Sequence, residues 1–507
     1  MSVASLLRKT AAEFSDKTAI YFQDIEITYK DLEEKVNRLA NGLANLGLKK
    51  GERAAVLLPN CPEFVISYFG IVSIGATIVP INPLFKGEEL KYILNDASIK
   101  ILITAAPFQN LVESIWNEAQ SLESLIIIGG ETEKDIYDFA ELIEGSASEP
   151  FNITIEPDDV ASCLYTSGTT GKPKGALLTH DNLIFDAEAT IKHLGLGSDE
   201  NYLCVLPLFH SFAEMVCMIV PIYTGASITI VGQFKPDATL KEVEAKKVTI
   251  FAGVPAMYGA FLAAIKDPKS YDLSSIKLCV SGGAPLPVEI MKVFEERYGV
   301  IMIEGNGPTE TSPVSYANPI DGVRKPGFVG IPVPGVEVKI VDDNDNEVPV
   351  NEVGEICVKG RNVMKGYLNR PEETAQALRG GWLHTGDLGK KDEDGYIYIV
   401  DRKKDMIIVG GLNVYPREVE EILYQHPAVA EAAVVGIADE LRGEIPKAFV
   451  ALKPGKEATE KELIRYCRQN LANYKCPKQV EFCESLPKTV TGKIDKKLLR
   501  EAKSIGL

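Results

Sequence analysis

Apolar residues in "TYKDLEEKVNRLANGLANLG" fall at Leu32, Val36, Leu39, Leu43 and Leu46, a 4,3,4,3 spacing that predicts an amphipathic helix. Thr28 stands where an N-cap belongs, and Gly47 where the helix must stop. The following "RAAVLLP" reads as a strand. Two uncharged stretches, 64–81 and 215–232, approach membrane-span length, yet both are interrupted by Gly and Pro. Within them, "IVSIGATIVPINP" and "PIYTGASITIVG" repeat one pattern: an apolar helix end, a Gly-Ala turn, and a buried strand over 77–79 or 227–231. The two Gly-Ala pairs lie 150 residues apart. Buried strands alternating with helices predict parallel sheets in α/β layers, here two similarly built lobes reaching about residue 325.

From 326 to 400 the texture changes to short strands between Pro/Gly turns ("VEVKIVDD", "GEICVKG", "GYIYIV"), which predicts a small antiparallel β subdomain. Beyond the charged pentapeptide "DRKKD" (401–405), read as a linker, helix and strand patterns of a compact last domain return. The expected organisation is therefore an α/β N-terminal domain over 1–401, made of two lobes and the β subdomain, followed by a small α+β C-terminal domain over 402–507.

Composition narrows the function. A chain of 507 residues with 45% hydrophobic and 25% charged residues is an ordinary globular protein too long for one core. Its net charge of −17 lacks the Lys/Arg surplus that a nucleic-acid backbone requires. The charge is uneven: residues 402–507 carry +4 and the first 401 residues −21, which reads either as two solvated surfaces of different composition or as a basic lid closing over an anionic ligand. Nine scattered cysteines without a CxxC or Cys/His cluster support neither a disulfide framework nor a zinc site, and fit a reducing, cytoplasmic setting. The N-terminus has too short an apolar run for a signal peptide, and no integral membrane segment is expected. The oligomeric state stays open, a homodimer being compatible with the sequence.

The chemistry gathers at "YTSGTTGKPKGALLTH" (165–180). Glycine gives up more backbone entropy on ordering than any other residue, so a loop this rich in it needs a ligand to justify it. Gly-rich backbone can aim successive N–H groups at one anion while Ser, Thr and Lys add donors, an arrangement suited to polyphosphate. The pattern GxxxxGK[ST] is missing, and the loop joins strand to strand, so a Walker loop is excluded.

This segment resembles the signature of the adenylate-forming superfamily, which includes acyl-CoA synthetases, amino-acid-adenylating domains and beetle luciferases. "PLFHSF" (207–212), "SGGAPL" (281–286), "GNGPTE" (305–310), "GEICVKG" (354–360), "GWLHTGD" (381–387), "DRKKDMIIVGGLNVYPREVE" (401–420) and "PKTVTGKIDK" (487–496) follow in the family's order along the whole chain. The resemblance implies an enzyme that joins a carboxylate to AMP and then transfers the acyl group to a thiol. The first step presses two anions together. At ~4 Å their repulsion is roughly 4 kcal/mol at an effective dielectric of 20.

The resemblance assigns residues to that task. Thr166, Ser167, Gly168, Thr169, Thr170, Gly171 and Lys174 would hold the β- and γ-phosphates of ATP. Glu310, with Thr166, would bind Mg2+, and Thr309 would contact the α-phosphate. Gly283, Ala284 and Pro285 would wall the adenine pocket, where Asn306 replaces the aromatic residue usual in the family. Asp387 and Arg402 would meet the ribose hydroxyls. Lys493 would reach the carboxylate and α-phosphate from a mobile last domain, hinged at Lys404, whose rotation would bring Gly410 and Gly411 to the pantetheine arm of CoA. His210 would sit beside the acyl carboxylate and the thiol channel.

On substrate, "FHSFAEM" lacks an Asp at the place where amino-acid-adenylating relatives pair the ammonium group, Glu214 standing further along. An acid without an α-amino group is expected, with the fatty-acid CoA ligases the nearest texture and "FAGVPAMYGAF" as acyl lining. Aryl or hydroxycinnamate acids, dicarboxylic acids and carrier-loading adenylation are the alternatives.

Overall fold

The computed structural model describes residues 1–166, 172–265, 267, 270–439, 441–489 and 492–501. Its organisation follows from strands that are apolar on both faces. In the strand Arg53–Leu57, Ala54 and Val56 belong to one buried cluster and Ala55 and Leu57 to another. In Ile250–Gly253, Ile250 and Ala252 face the first of these clusters while Phe251 faces a third. Such strands need cover on both sides, and two sheets with helices between and outside them supply it.

The first sheet has eight strands. Five of its strands, Thr77–Pro80, Arg53–Leu57, Ile101–Ala105, Ser124–Ile128 and Ile136–Asp138, run in parallel register, and the antiparallel pair Val160–Thr166 and Lys174–Thr179 extends it. The second sheet has nine, with parallel pairing through Ser227–Ile230, Asn201–Cys204, Ile250–Gly253, Leu278–Ser281 and Met302–Asn306. The strands after both Gly-Ala turns are thus in separate sheets, as the repeated pattern predicts. Between the sheets lie the helices Val3–Glu13, Tyr29–Asn45, Pro62–Ser73 and His180–Leu194, sharing one core cluster. Pro62–Ser73 is buried almost all round.

The helix Tyr29–Asn45 begins at Thr28, whose side chain accepts from the Asp31 N–H, and is followed by Gly47 at φ +92°. Chain order and lobe diverge at one place: the N-terminal hairpin Thr18–Phe22/Ile25–Thr28 joins the second sheet, with Ile20 beside Ile228.

An antiparallel four-stranded sheet follows, Glu337–Val341, Gly354–Lys359, Leu383–Lys391 and Ile397–Arg402. A last sheet of five strands is built on the long pair Val429–Asp439/Gly443–Leu452 and backed by the helices Pro416–Tyr424 and Glu460–Asn470. The reading of "DRKKD" as a free linker needs correction. Asp401 and Arg402 finish the strand Ile397–Arg402, and buried Asp401 accepts from the N–H groups of both Arg402 and Arg417, so only residues 403–405 form the turn.

Candidate active site

The first wall of the site is the hairpin Val160–Thr166/Lys174–Thr179, in which Thr166 pairs with Lys174. The strand-to-strand setting matches the sequence reading. Ser167, Gly168, Thr169, Thr170 and Gly171 lie outside the described residues. The base of the hairpin is fixed from outside: the Tyr165 hydroxyl donates to Asp96 (2.7 Å) and the Tyr92 hydroxyl to the Pro173 carbonyl (3.0 Å). The Lys174 ammonium forms an ion pair with Glu373 and lies 5.1 Å from the centre of the Tyr367 ring.

The second wall comes from carboxyl ends of parallel strands, where open α/β sheets bind ligands. Gly282 and Gly283 follow Leu278–Ser281, and residues 306–310 follow the last parallel strand, Met302–Asn306. Space dictates the glycines here. A Cβ on Gly307 would sit 2.1 Å from the Pro313 carbonyl oxygen, and one on Gly282 would sit 3.1 Å from the Phe212 ring. Gly283 has φ +76°, and a Cβ there would meet Cε of Lys493 at 3.4 Å. The short 3-10 turn Thr309–Thr311 presents Thr309, whose hydroxyl is 3.1 Å from that of Ser211, and Glu310, whose Oε1 accepts from the Tyr367 hydroxyl (2.8 Å).

The third wall comes from the four-stranded sheet and the chain beyond it. Asp387 and Arg402 are cross-strand partners, and the Arg402 Nε lies 3.1 Å from the buried Asp387 carboxylate. Burial raises the Asp387 carboxyl above its ordinary range, against the pull of Arg402 and Lys493. The Lys493 carbonyl accepts from the Thr489 N–H (2.7 Å), and its side chain lines the site. Burial first, and Arg402 second, push its ammonium down to about 8, with Asp387 opposing. His210 accepts at Nδ1 from the Phe212 N–H (3.2 Å) and is pushed down to about 3 by burial and Lys493. It is therefore a neutral imidazole carrying its proton on Nε2.

These walls enclose a cavity of about 800 Å³. Thr166, Lys174, His210, Gly283, Asn306, Thr309, Glu310, Asp387, Arg402, Lys404 and Lys493 all line it, bringing together residues from motifs more than three hundred positions apart. Ala284 and Pro285 do not line it, and Pro285 is exposed. Gly410 and Gly411 are also outside. They form the exposed turn between Ile407–Val409 and Leu412–Val414 at φ +57° and +83°, so in this arrangement the left-handed turn accounts for both glycines.

The cavity has an apolar end, lined by Leu194, Val216, Val280, Val314 and the Phe209 and Phe212 rings. The expectation for "FAGVPAMYGAF" is corrected: Phe251, Tyr258 and Phe261 pack into the core with Phe294, the Tyr258–Phe294 ring centres 5.0 Å apart. Phe251 faces the helices behind the sheet, and Tyr258 and Phe261 belong to one of them, Pro255–Ala264. Glu214 is likewise absent from the lining. It is buried with its carboxyl pushed up to about 7 by desolvation, accepting from the Tyr68 hydroxyl at 2.8 Å.

Tyr367, Glu373, Phe85 and Ser211 are the residues that sequence reasoning passed over. Among the described residues no group of three or more His, Cys, Asp or Glu side chains could hold a metal ion by itself. Glu310 with hydroxyls beside it is a hard-oxygen donor set, suited to Mg2+, which takes one or two carboxylates together with substrate phosphates. Among the described residues no helix is long and apolar enough to cross a membrane.

Known proteins resemble the chain over nearly all of its length. The family model described as AMP-binding enzyme matches residues 7–368, and that described as AMP-binding enzyme C-terminal domain matches residues 418–493. The chain is 42% identical over 529 residues to a long-chain-fatty-acid–CoA ligase of Bacillus subtilis (strain 168), covering 99% of this chain and 94% of the relative. It is 38% identical over 478 residues to a feruloyl-CoA synthase of Amycolatopsis sp, covering 94% of each. Among solved structures, the anthranilate CoA ligase AuaEII in complex with anthranoyl-AMP superimposes with a TM-score of 0.94 at 35% identity, covering 100% of this chain and 98% of that one. ATP-bound MatB from Rhodopseudomonas palustris superimposes with a TM-score of 0.92 at 32% identity, with 99% of both covered.

Proposed function

The chain belongs to the AMP-binding enzyme family, as an adenylate-forming CoA ligase that uses ATP, CoA and Mg2+, and from that premise we propose that its acid is a medium- or long-chain fatty acid. The carboxylate displaces pyrophosphate from ATP to give acyl-AMP, and the CoA thiol then displaces AMP to give acyl-CoA. The observation that carries the adenylation reading is the Lys493 ammonium held over Gly283 beside Asp387 and His210. A cation there meets the charge that shifts between carboxylate and α-phosphate.

In this reading the other lining residues divide the work. Thr166, the loop at 167–171 and Lys174 hold the β- and γ-phosphates, and Thr309 meets the α-phosphate. Glu310 and Thr166 would hold Mg2+, which when bound supplies charge neutralisation across the phosphate oxygens. Asp387 and Arg402 take the ribose, Gly283 and Asn306 border the base, and neutral His210 donates from Nε2 toward the acyl carboxylate without adding charge. The chain beyond Lys404 acts as a mobile unit that swings about that residue, withdrawing Lys493 and admitting CoA past Gly410 and Gly411.

The fatty-acid reading is supported by the apolar end and by likeness to long-chain-fatty-acid–CoA ligases. An aryl acid is the second reading. It is favoured by the Phe209 and Phe212 rings in the lining and by the feruloyl and anthranilate relatives. Pyrophosphate release from ATP and Mg2+ with fatty, aryl and dicarboxylic acids, with and without CoA, tests the proposal. Release with dodecanoate or longer chains, and acyl-CoA only when CoA is added, is the expected outcome. Release with hydroxycinnamates alone would overturn the fatty-acid assignment.

A further inference from the structure

The segment "KGYLNRPEET" (365–374) carries no role in the adenylation reading, yet it enters the nucleotide site. Its short strand Gly366–Tyr367 pairs antiparallel with Lys174–Thr179, placing Tyr367 opposite Ala176. The Leu368 N–H donates to the Gly175 carbonyl (2.8 Å), and the Met364 N–H donates to the carbonyl of Glu310 itself (2.8 Å). The Tyr367 N–H donates to the Thr374 hydroxyl (2.9 Å). The segment 364–368 is thus tied to the phosphate hairpin through Tyr367 and Leu368 and to the Glu310 turn through Met364.

The side chain repeats this bridge. Its hydroxyl donates to Glu310 Oε1 (2.8 Å), and its ring lies 5.1 Å from the Lys174 ammonium. We propose that Tyr367 is a positioning residue that fixes the metal-side carboxylate of Glu310 and the phosphate-side ammonium of Lys174 relative to one another. One carboxylate oxygen is committed to the phenol, which sets the carboxylate plane, and the other is left for the ion. The Lys174 ammonium is gripped between the ring and Glu373, and it keeps its place until a polyphosphate takes over from that carboxylate. The inference rests on the adenylation reading for the identity of the ion and the nucleotide.

The test is a Mn2+ titration of the full chain with ATP and no carboxylic acid, read from the free-Mn2+ electron paramagnetic resonance signal. Partners that orient metal ligands are typically worth ~10- to 100-fold in metal affinity or activity. Tyr367→Phe keeps the ring and should weaken Mn2+ binding in the ATP complex about tenfold. Glu310→Gln should weaken it at least as much, and the double variant should lose nothing further, because Tyr367 acts through Glu310. ATP affinity without divalent ion should be unchanged in Tyr367→Phe and about fivefold weaker in Tyr367→Leu, which removes the ring beneath Lys174. Wild-type Mn2+ affinity in Tyr367→Phe would overturn the proposal. So would a loss that persists in the Glu310→Gln background, or a melting temperature lowered by more than about 8 °C, which would mark the residue as structural. Failure of the wild type to bind Mn2+ with ATP would overturn both readings. Normal Mn2+–ATP binding without pyrophosphate release from any acid would overturn the functional reading alone.

Discussion

Raising the pH should switch off the proposed adenylation step through one group, Lys493. Its ammonium is pushed from the ordinary 10.5 down to about 8 by burial and by Arg402, with Asp387 opposing. That displacement corresponds to ~3 kcal/mol disfavouring the charged form in the closed site. The catalytic form is the charged one, so activity should be full below pH 8 and fall as the pH rises through that value. In kcat/KM for ATP, measured as pyrophosphate release without CoA, the expected decline is tenfold per pH unit above about 8. The profile of kcat should break at higher pH, because bound phosphates favour the ammonium. Lys493→Arg keeps a positive charge beyond pH 12 and should abolish the break even if its rate is lower. Lys493→Met should lose ~10²- to 10³-fold in this half-reaction, while thioester formation from supplied acyl-AMP survives. The sign for stability is opposite to that for activity. A lysine whose folded value lies below its unfolded value destabilises the closed arrangement at neutral pH, and the penalty fades as the pH climbs from 8 toward 10.5. Lys493→Met should therefore raise the melting temperature at pH 7. A break near pH 8 that persists in Lys493→Arg would refute the reasoning, as would a Met variant within threefold of wild type.

Other outcomes follow from individual contacts. His180 is fully buried, accepts at Nδ1 from the Val3 N–H (3.2 Å), and is pushed down to about 4 by desolvation. Its folded value lies below its unfolded value of 6.5, so stability should be full above pH 6.5 and drop by up to ~3 kcal/mol toward pH 4. Urea unfolding of wild type and His180→Gln across that range should show the difference narrowing in acid. Glu373→Gln removes the partner of Lys174, and both ATP and pyrophosphate should bind about fivefold more tightly, in keeping with ~1 kcal/mol for a partly exposed pair; a raised KM for ATP would count against it. Lys404→Pro should leave pyrophosphate release intact while impairing thioester formation; equal rates in both halves would remove the hinge assignment. Gly307→Ala forces a methyl group to within 2.1 Å of a carbonyl oxygen and should cost about 3 kcal/mol in denaturant unfolding, with ATP binding lost.

What was legible in the sequence is what depends on neighbours. The cap at Thr28, the stop at Gly47 and the two-sided apolar strands are local patterns, and the structure bears them out. The motif residues were legible because they cluster in loops at strand ends, each short and chemically distinctive. Long-range pairing was not legible. Nothing local tells that Thr18–Phe22 joins Ser227–Ile230, or that Tyr367 docks beside Ala176. "FAGVPAMYGAF" misled for a related reason: a sheet covered on both faces has two apolar surfaces, and hydropathy cannot tell the one facing the ligand from the one facing helices. "DRKKD" misled because charge usually marks solvent, whereas Asp401 is buried to receive backbone N–H groups.

The cavity's cations explain how a site so positive tolerates being free of phosphate. Lys174 is matched by Glu373, whose carboxylate occupies ground that phosphate oxygens take in the adenylation reading, and Arg402 by Asp387, which stays beside it to meet the ribose. Binding ATP is then an exchange of anions at preplaced cations, which keeps ground-state affinity modest and lets pyrophosphate leave. Lys493 differs in kind. It enters from the segment after the last strand, burial pushes its ammonium down, and its relief grows as substrate anions arrive. A site arranged this way spends little on holding the nucleotide and reserves its strongest interaction for the moment the two anions meet. In the proposed mechanism the same imbalance favours withdrawal of Lys493 once pyrophosphate has gone, so the electrostatics assigned to the first half-reaction would also prepare the second.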